Sequence, residues 1–150
     1  MSKEGIQSFV VAEDFVVADL ARTFTALNTV NGYIHAVAGR KWPTSEWDIY
    51  LPPDNPRMAF ARVQRIGGPD DISTDHPVLD IALLGRDRDF VRNLAEDIRT
   101  RYTRYPRLIE HEGRRVVFGK AGTVTAPQEV EWVDETLTHV FSSYQFHLRR

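Results

Sequence analysis

The sequence predicts an α+β fold: a mainly antiparallel or mixed β-sheet packed against two α-helices in a single domain, residues 1–150. Three observations lead there. Two segments, near residues 13–28 and 89–104, carry apolar residues at helical spacing. Several shorter runs are continuously apolar or alternate with period two, as strands do. The order is helix, strands, helix, strands, which differs from the regular alternation of a doubly wound parallel sheet.

The first helix is expected from Glu13 to about Asn28. Val16, Leu20, Phe24 and Leu27 form one stripe, and Glu13 and Asp14 sit in the first turn, where the helix dipole favours negative charge. Asn31-Gly32 supplies the stop. Tyr33–Val37, YIHAV, reads as a short strand. A Pro/Trp-rich loop follows at about residues 39–56, holding four of the eight prolines and two of the three tryptophans. Its Trp42, Trp47, Ile49, Tyr50 and Leu51 either fold back onto the core or meet a partner. Met58–Ile66 and Pro77–Leu84 are expected strands, the second apolar enough for a central strand covered on both faces.

Asp87 or Asp89 is expected to cap the second helix, whose stripe is Phe90, Val91, Leu94, Ala95, Ile98 and Tyr102. Pro106 stops it. Val116–Val124 is a further strand candidate. Thr138–Arg149 is the last, with Val140, Ser142, Tyr144, Phe146 and Leu148 on one face.

Composition removes several classes of function. The formal net charge is −2, so no global basic field recruits nucleic acid. The absence of cysteine excludes disulfides and thiolate metal sites. No apolar run approaches the roughly 18 residues of a membrane span, and MSKEGIQSF lacks the apolar stretch of a signal peptide. A soluble cytoplasmic protein is the expectation.

The stretch Phe60–Gly85, FARVQRIGGPDDISTDHPVLDIALLG, poses a choice between a phosphate cradle, a metal loop and a hairpin. A phosphate cradle needs glycines between a strand and a helix N-terminus; here a second strand follows, and Asp70 and Asp71 repel phosphate. Asp70, Asp71, Asp75, His76 and Asp80 are metal-type donors, but their spacing matches no EF-hand. A hairpin turn with Gly67 and Gly68 at positive φ is the stronger expectation. His35, His76, His111, His139 and His147 form no HExxH motif, and no GxSxG occurs.

Arginine carries the remaining pattern. Arg57, Arg62 and Arg65 border the first long strand, and Arg86, Arg88, Arg92, Arg99, Arg101, Arg104 and Arg107 decorate the second helix and its flanks. Interleaved acids dilute a nucleic-acid reading, and pairs such as Asp97–Arg101 suit a solvated helix face. The sharper alternative is a subunit contact, in which Arg88, Arg92 and Arg99 meet Glu129, Glu131 and Asp134 of a neighbouring copy, with Trp42 and Trp47 as further interface candidates.

The strand ending in VQRIGG, the acidic turn, DHPVLDIALLG, the helix FVRNLAEDIRTRY and the closing Tyr-x-Phe-x-Leu-Arg strand together resemble the tail terminator proteins of long-tailed, siphovirus-type phages, especially those infecting actinobacteria. The resemblance covers Pro56–Arg150 well and the first helix more loosely. It implies a small ring-forming α+β subunit with no catalytic, cofactor or metal residues. Six copies cap the tail tube, end its polymerisation, and offer a docking surface to the head–tail connector at the neck. Implied partners are the chain itself, the major tail tube protein, the neck connector and DNA passing through the lumen without specific binding, with no membrane. The implied location is the neck end of the virion tail, after assembly in the host cytoplasm. Rival readings are another head–tail connector component (a head-closure, stopper or neck protein), a small metal-dependent hydrolase using Asp70, Asp71, Asp75 and His76, and a monomeric binding module with a Trp-lined groove.

Overall fold

The computed structural model describes residues 12–24, 28–29, 32–38, 51, 53–54, 56–68, 74–132 and 135–149. In chain order its elements are α1 (Ala12–Thr23), β1 (Asn28–Thr29), β2 (Gly32–Ala38), β3 (Ala59–Gly67), β4 (Thr74–Asp75), β5 (Val78–Gly85), α2 (Arg88–Arg104), β6 (Arg107–His111), β7 (Arg114–Phe118), β8 (Gly122–Val130), β9 (Thr138–Gln145) and β10 (Leu148–Arg149). A six-stranded sheet runs β1-β2-β3-β5-β9-β8, and a four-stranded sheet runs β4-β10-β7-β6. The β2–β3 pair is parallel and the other pairs are antiparallel, so the expected α+β class with a mixed, mainly antiparallel sheet is what forms. A parallel pair needs a connection of a dozen residues or more. The chain supplies it between Ala38 and Ala59, which accounts for the length of the Pro/Trp-rich segment.

Both helices and the small sheet cover one face of the large sheet. Ala61 and Val63 of β3, Ile81 and Leu83 of β5, and Val140 and Tyr144 of β9 meet Phe15, Val16 and Leu20 of α1 and Val91, Leu94 and Ile98 of α2. Ile109, Val116, Phe118 and Leu148 of the small sheet complete the same cluster. Each large side chain so buried contributes about 1.5–3 kcal/mol. Strand β5 lies in the middle and is buried along nearly its whole length, as its run of apolar residues requires. The Asp87 side chain caps α2 by accepting from the Phe90 N–H at 3.2 Å, and the helix ends at Arg104, two residues before Pro106.

The boundaries differ from expectation in four places. Helix α1 stops at Thr23 rather than near Asn28; Asn28 and Thr29 instead pair with Tyr33 and Gly32. The β-branched and Asn residues of TFTALNTVN hold helix weakly, so strand pairing wins. The expected Val116–Val124 strand is two strands in different sheets. At the break, the Gly119 N–H donates to the His147 carbonyl at 2.7 Å and the Ala121 N–H to the Tyr102 carbonyl at 2.8 Å. Strand β6 was not expected; it pairs with β7 through a two-residue turn whose Glu112 and Gly113 have φ of 52° and 76°, the signs a type I′ hairpin needs.

The expected Thr138–Arg149 strand is likewise two, β9 and β10, yet its inward alternation runs unbroken through Phe146 and Leu148. The reason is one continuous register. Val78 faces Gln145, Asp75 faces Leu148, and between them the Phe146 N–H donates to the Pro77 carbonyl at 2.9 Å. The ladder thus turns a corner from the large sheet into the small one. Among the described residues, no helix is long and apolar enough to cross a membrane.

Candidate functional site

The turn after β3 is built by one arginine. Arg65 grips both carboxylate oxygens of Asp75 at 2.8 and 2.9 Å and donates to the carbonyls of Gly67 at 3.1 Å and Gly68 at 2.8 Å. Its backbone N–H donates to Glu13 Oε2 at 3.0 Å, tying α1 to the same point. β3 and β5 are antiparallel neighbours as expected, with a register shift between Arg65 and Gly67. The connection is no tight turn, however, because β4 leaves it to join the small sheet. Of the two turn glycines only Gly68 has a positive φ, 99°; Gly67 does not, which corrects half of the expectation. Asp70 and Asp71 lie outside the described residues.

Most of the other arginines serve as internal ties. Arg57 lies 5.9 Å from the Phe90 ring centroid. Arg86 donates to the Leu51 carbonyl at 2.6 Å. Arg101 pairs with Asp19 at 2.8 Å, across the helices, and not with Asp97 one turn away. Leu51 itself is buried with Met58, Phe60, Leu84 and Leu137 in a second apolar cluster, so this end of the Pro/Trp-rich segment folds back onto the protein.

Of the expected interface residues, Arg88, Arg92 and Glu129 fall on one flank, whereas Glu131 lies beyond the end of β8 beside Trp132 and Glu135. Arg88 Nε donates to Glu129 Oε1 at 2.7 Å, joining the start of α2 to the end of β8, with the side chains 62% and 41% exposed. The Glu129 carboxylate, by hydrogen bond and charge, raises the Arg88 guanidinium further above its ordinary value. Between these elements runs a groove of about 470 Å³ lined also by Asp89, Arg92, Asn93, Glu96, Pro127 and Gln128. Arg99 reaches back to Glu96 at 3.6 Å. Arg92 and Glu131 are exposed. Of the arginines and acids expected to meet across subunits, Arg88 and Glu129 therefore already meet within one chain. Asp134, Trp42 and Trp47 lie outside the described residues. Strand β8, at the edge of the large sheet, carries Pro127 and two register irregularities, features that blunt an edge against simple strand addition.

The other face of the large sheet holds a polar set. Arg62 of β3 faces Ala82, while Asp80 of β5 faces Gln64, so the two lie on a diagonal. His139 of β9 faces Leu84. Burial pushes the Asp80 carboxyl up, against the opposing pull of Arg62. Burial, with help from the Arg62 charge, pushes His139 below its ordinary value. The sign for Asp80 is definite: a carboxyl raised in the folded state costs stability when ionised, and the cost is relieved as pH falls through the folded value. Asp80→Asn is therefore expected to leave stability at pH 7 unchanged or raise it by up to about 1 kcal/mol, the gain vanishing in acid. Urea titrations at neutral and acidic pH check this; a loss of more than about 1 kcal/mol at pH 7 would show that the Arg62 charge outweighs burial.

Among the described residues, no three His, Asp or Glu side chains converge to hold a metal. Of the donors considered for a metal loop, Asp75 is held by Arg65 and Asp80 sits along β5 beside Ser143 and Gln64. His76 instead meets His147, Nδ1 to Nδ1, at 2.7 Å. Sequence reasoning passed over Asp19, which is 5% exposed. It stands on the buried face of α1 with Ala12, Phe15, Val16 and Leu20. A carboxylate inside an apolar stripe was the available signal for it. No protein-family model matches the chain, and no curated protein matches it.

Proposed function

We propose that the chain is a structural subunit of a phage virion, a tail terminator that closes as a hexameric ring on the end of the tail tube. The ring ends tube polymerisation, presents a docking surface to the neck connector, and lets DNA pass without specific binding. Its activity is assembly, not turnover. The observation that carries this reading is the sequence pattern RIGGPDD…DHPVLDI with the closing Tyr-x-Phe-x-Leu-Arg run. The α+β fold is compatible with it: RIG ends β3, VLDI opens the neighbouring β5, and the closing run starts at the end of β9, beside β5, and ends as β10 in the small sheet. Arginines spent on internal ties leave a mixed-charge surface, which suits a lumen through which DNA slides.

The flank between α2 and β8 is the surface assigned to the neighbouring subunit. Arg92 offers charge there, and the Arg88–Glu129 pair is placed to exchange its in-chain partner for one across the contact. Native mass spectrometry and negative-stain imaging, on the free protein and on protein mixed with tail tubes, test the reading. The wild type is expected to give a hexameric ring that caps tubes. Arg92→Glu is expected to cut the ring fraction by about tenfold or more while circular dichroism stays unchanged. A wild type that remains monomeric or stops at a dimer in both settings counts against the ring. A ring that leaves tubes uncapped but binds the neck points to the head-closure or stopper alternative.

A further inference from the structure

His76 and His147 stand opposite each other at the corner where the large sheet becomes the small one. The register that pairs Val78 with Gln145 and Asp75 with Leu148 leaves these two histidines facing across the ladder. Backbone bonds hold the corner on both sides: Phe146 N–H to the Pro77 carbonyl at 2.9 Å, and Gly119 N–H to the His147 carbonyl at 2.7 Å. The two Nδ1 atoms are 2.7 Å apart, so one donates its proton to the lone pair of the other. The ring centroids are 4.9 Å apart with planes at 76°. His147 is exposed and His76 half-buried, so the pair opens toward solvent.

We infer that this pair is a two-histidine chelate for a divalent late transition-metal ion, with Cu²⁺ or Ni²⁺ preferred over Zn²⁺. Imidazole nitrogens bind such ions at about 2.0–2.1 Å. Two bonds at a right angle, as in square-planar or octahedral sites, put the nitrogens about 2.9 Å apart, whereas a tetrahedral pair needs about 3.3 Å. The observed 2.7 Å is the hydrogen-bonded separation; opening by about 0.2 Å, with the rings turned so that both lone pairs converge, reaches the right-angle spacing. The Irving–Williams order also puts Cu²⁺ first. On binding, the ring that carries its proton on Nδ1 shifts it to Nε2, so that both Nδ1 lone pairs face the ion. Water fills the remaining positions, because the neighbouring Asp75 carboxylate is held by Arg65. The bound ion fastens the link between β4 and β5 to the link between β9 and β10 and so locks the corner, which makes the site a staple and not a catalytic centre.

Isothermal titration of the full chain at neutral pH with the Cu²⁺, Ni²⁺ and Zn²⁺ chlorides, in a buffer that does not chelate, tests this. One Cu²⁺ per chain is expected, with a rise in melting temperature at saturation and an electron paramagnetic resonance pattern showing two imidazole nitrogens. Removing one ring removes the chelate effect, so His147→Ala is expected to weaken binding by about a hundredfold. His147→Gln, which keeps a polar group at the same exposed position, is expected to do the same and guards against misfolding of the alanine variant. Absence of stoichiometric Cu²⁺ binding, wild-type affinity in both His147 variants, or a spectrum with one nitrogen overturns the inference.

Discussion

Asp19→Ala is expected to lower the unfolding free energy by about 3 kcal/mol, at the low end for breaking a buried ion pair because Arg101 is partly exposed. The Asp19 carboxylate accepts from Arg101 Nε and Nη2, both at 2.8 Å, from the Tyr102 hydroxyl at 2.6 Å and from Thr23 Oγ1 at 3.2 Å. Its side chain is 7% exposed and that of Arg101 21%. This is the polar clamp between α1 and α2. Removing the carboxylate strips a buried tyrosine hydroxyl of its acceptor and an arginine of its counter-charge, and each orphan costs more than the bond itself contributed. Replacing both partners, as in Asp19→Leu with Arg101→Met, is expected to recover most of the loss, since an apolar pair avoids desolvating charge.

The pH dependence follows from the same contacts. Burial alone raises the Asp19 carboxyl, but hydrogen bonds from Arg101 and Tyr102 and the Arg101 charge outweigh it, so the carboxyl lies below its ordinary value. A depressed carboxyl contributes stability that is full above the unfolded pKa and is lost as pH falls through the folded one. The gap between wild type and Asp19→Ala in urea unfolding is therefore expected to be constant at neutral pH and to narrow in strong acid. A gap below about 1 kcal/mol at pH 7, or one that widens in acid, would show that the clamp does not tie the helices.

How far the fold could be read in advance depended on whether each signal was local. The α2 stripe and its Asp87 cap are written within one helix, and both were legible. So was β5, whose apolar run describes its own burial. The clamp was not, because its partners are 82 residues apart and the local pairing Asp97–Arg101 offered a plausible substitute. Strand ends were missed for a related reason. Val116–Val124 and Thr138–Arg149 read as single strands by pattern, but where each breaks is decided by backbone partners such as the His147 and Pro77 carbonyls, supplied from elsewhere in the chain. At the flank, the charge pattern singled out Arg88 and Glu129 but could not say that they lie together in one chain. The same holds for His76, read beside Asp75 by sequence proximity and joined instead to His147 by the ladder.

Gly68→Val is expected to cost at least about 3 kcal/mol, whereas Gly67→Val is expected to stay within about 0.5 kcal/mol of wild type. The two glycines are adjacent and identical in sequence terms, yet their surroundings differ. Gly68 has a φ of 99°, a region that side chains with a Cβ rarely adopt. A Cβ there would stand 2.0 Å from the His76 carbonyl oxygen, 2.7 Å from the Val78 nitrogen and 2.8 Å from the Pro77 Cα. All three are backbone atoms, so no side-chain rotation relieves the clash; the chain itself has to part. Parting it pulls on the Gly68 carbonyl that Arg65 holds at 2.8 Å and on the His76–Val78 segment that carries the register around the sheet corner. At Gly67 nothing lies within 4 Å of a Cβ, and the position ends a strand, where a β-branched residue is welcome. Gly68→Ala already carries the clashing Cβ and the strained φ, so it is expected to show most of the loss of Gly68→Val. Equal unfolding free energies for Gly67→Val and Gly68→Val would mean that the corner yields without cost and that Arg65 does not fix it.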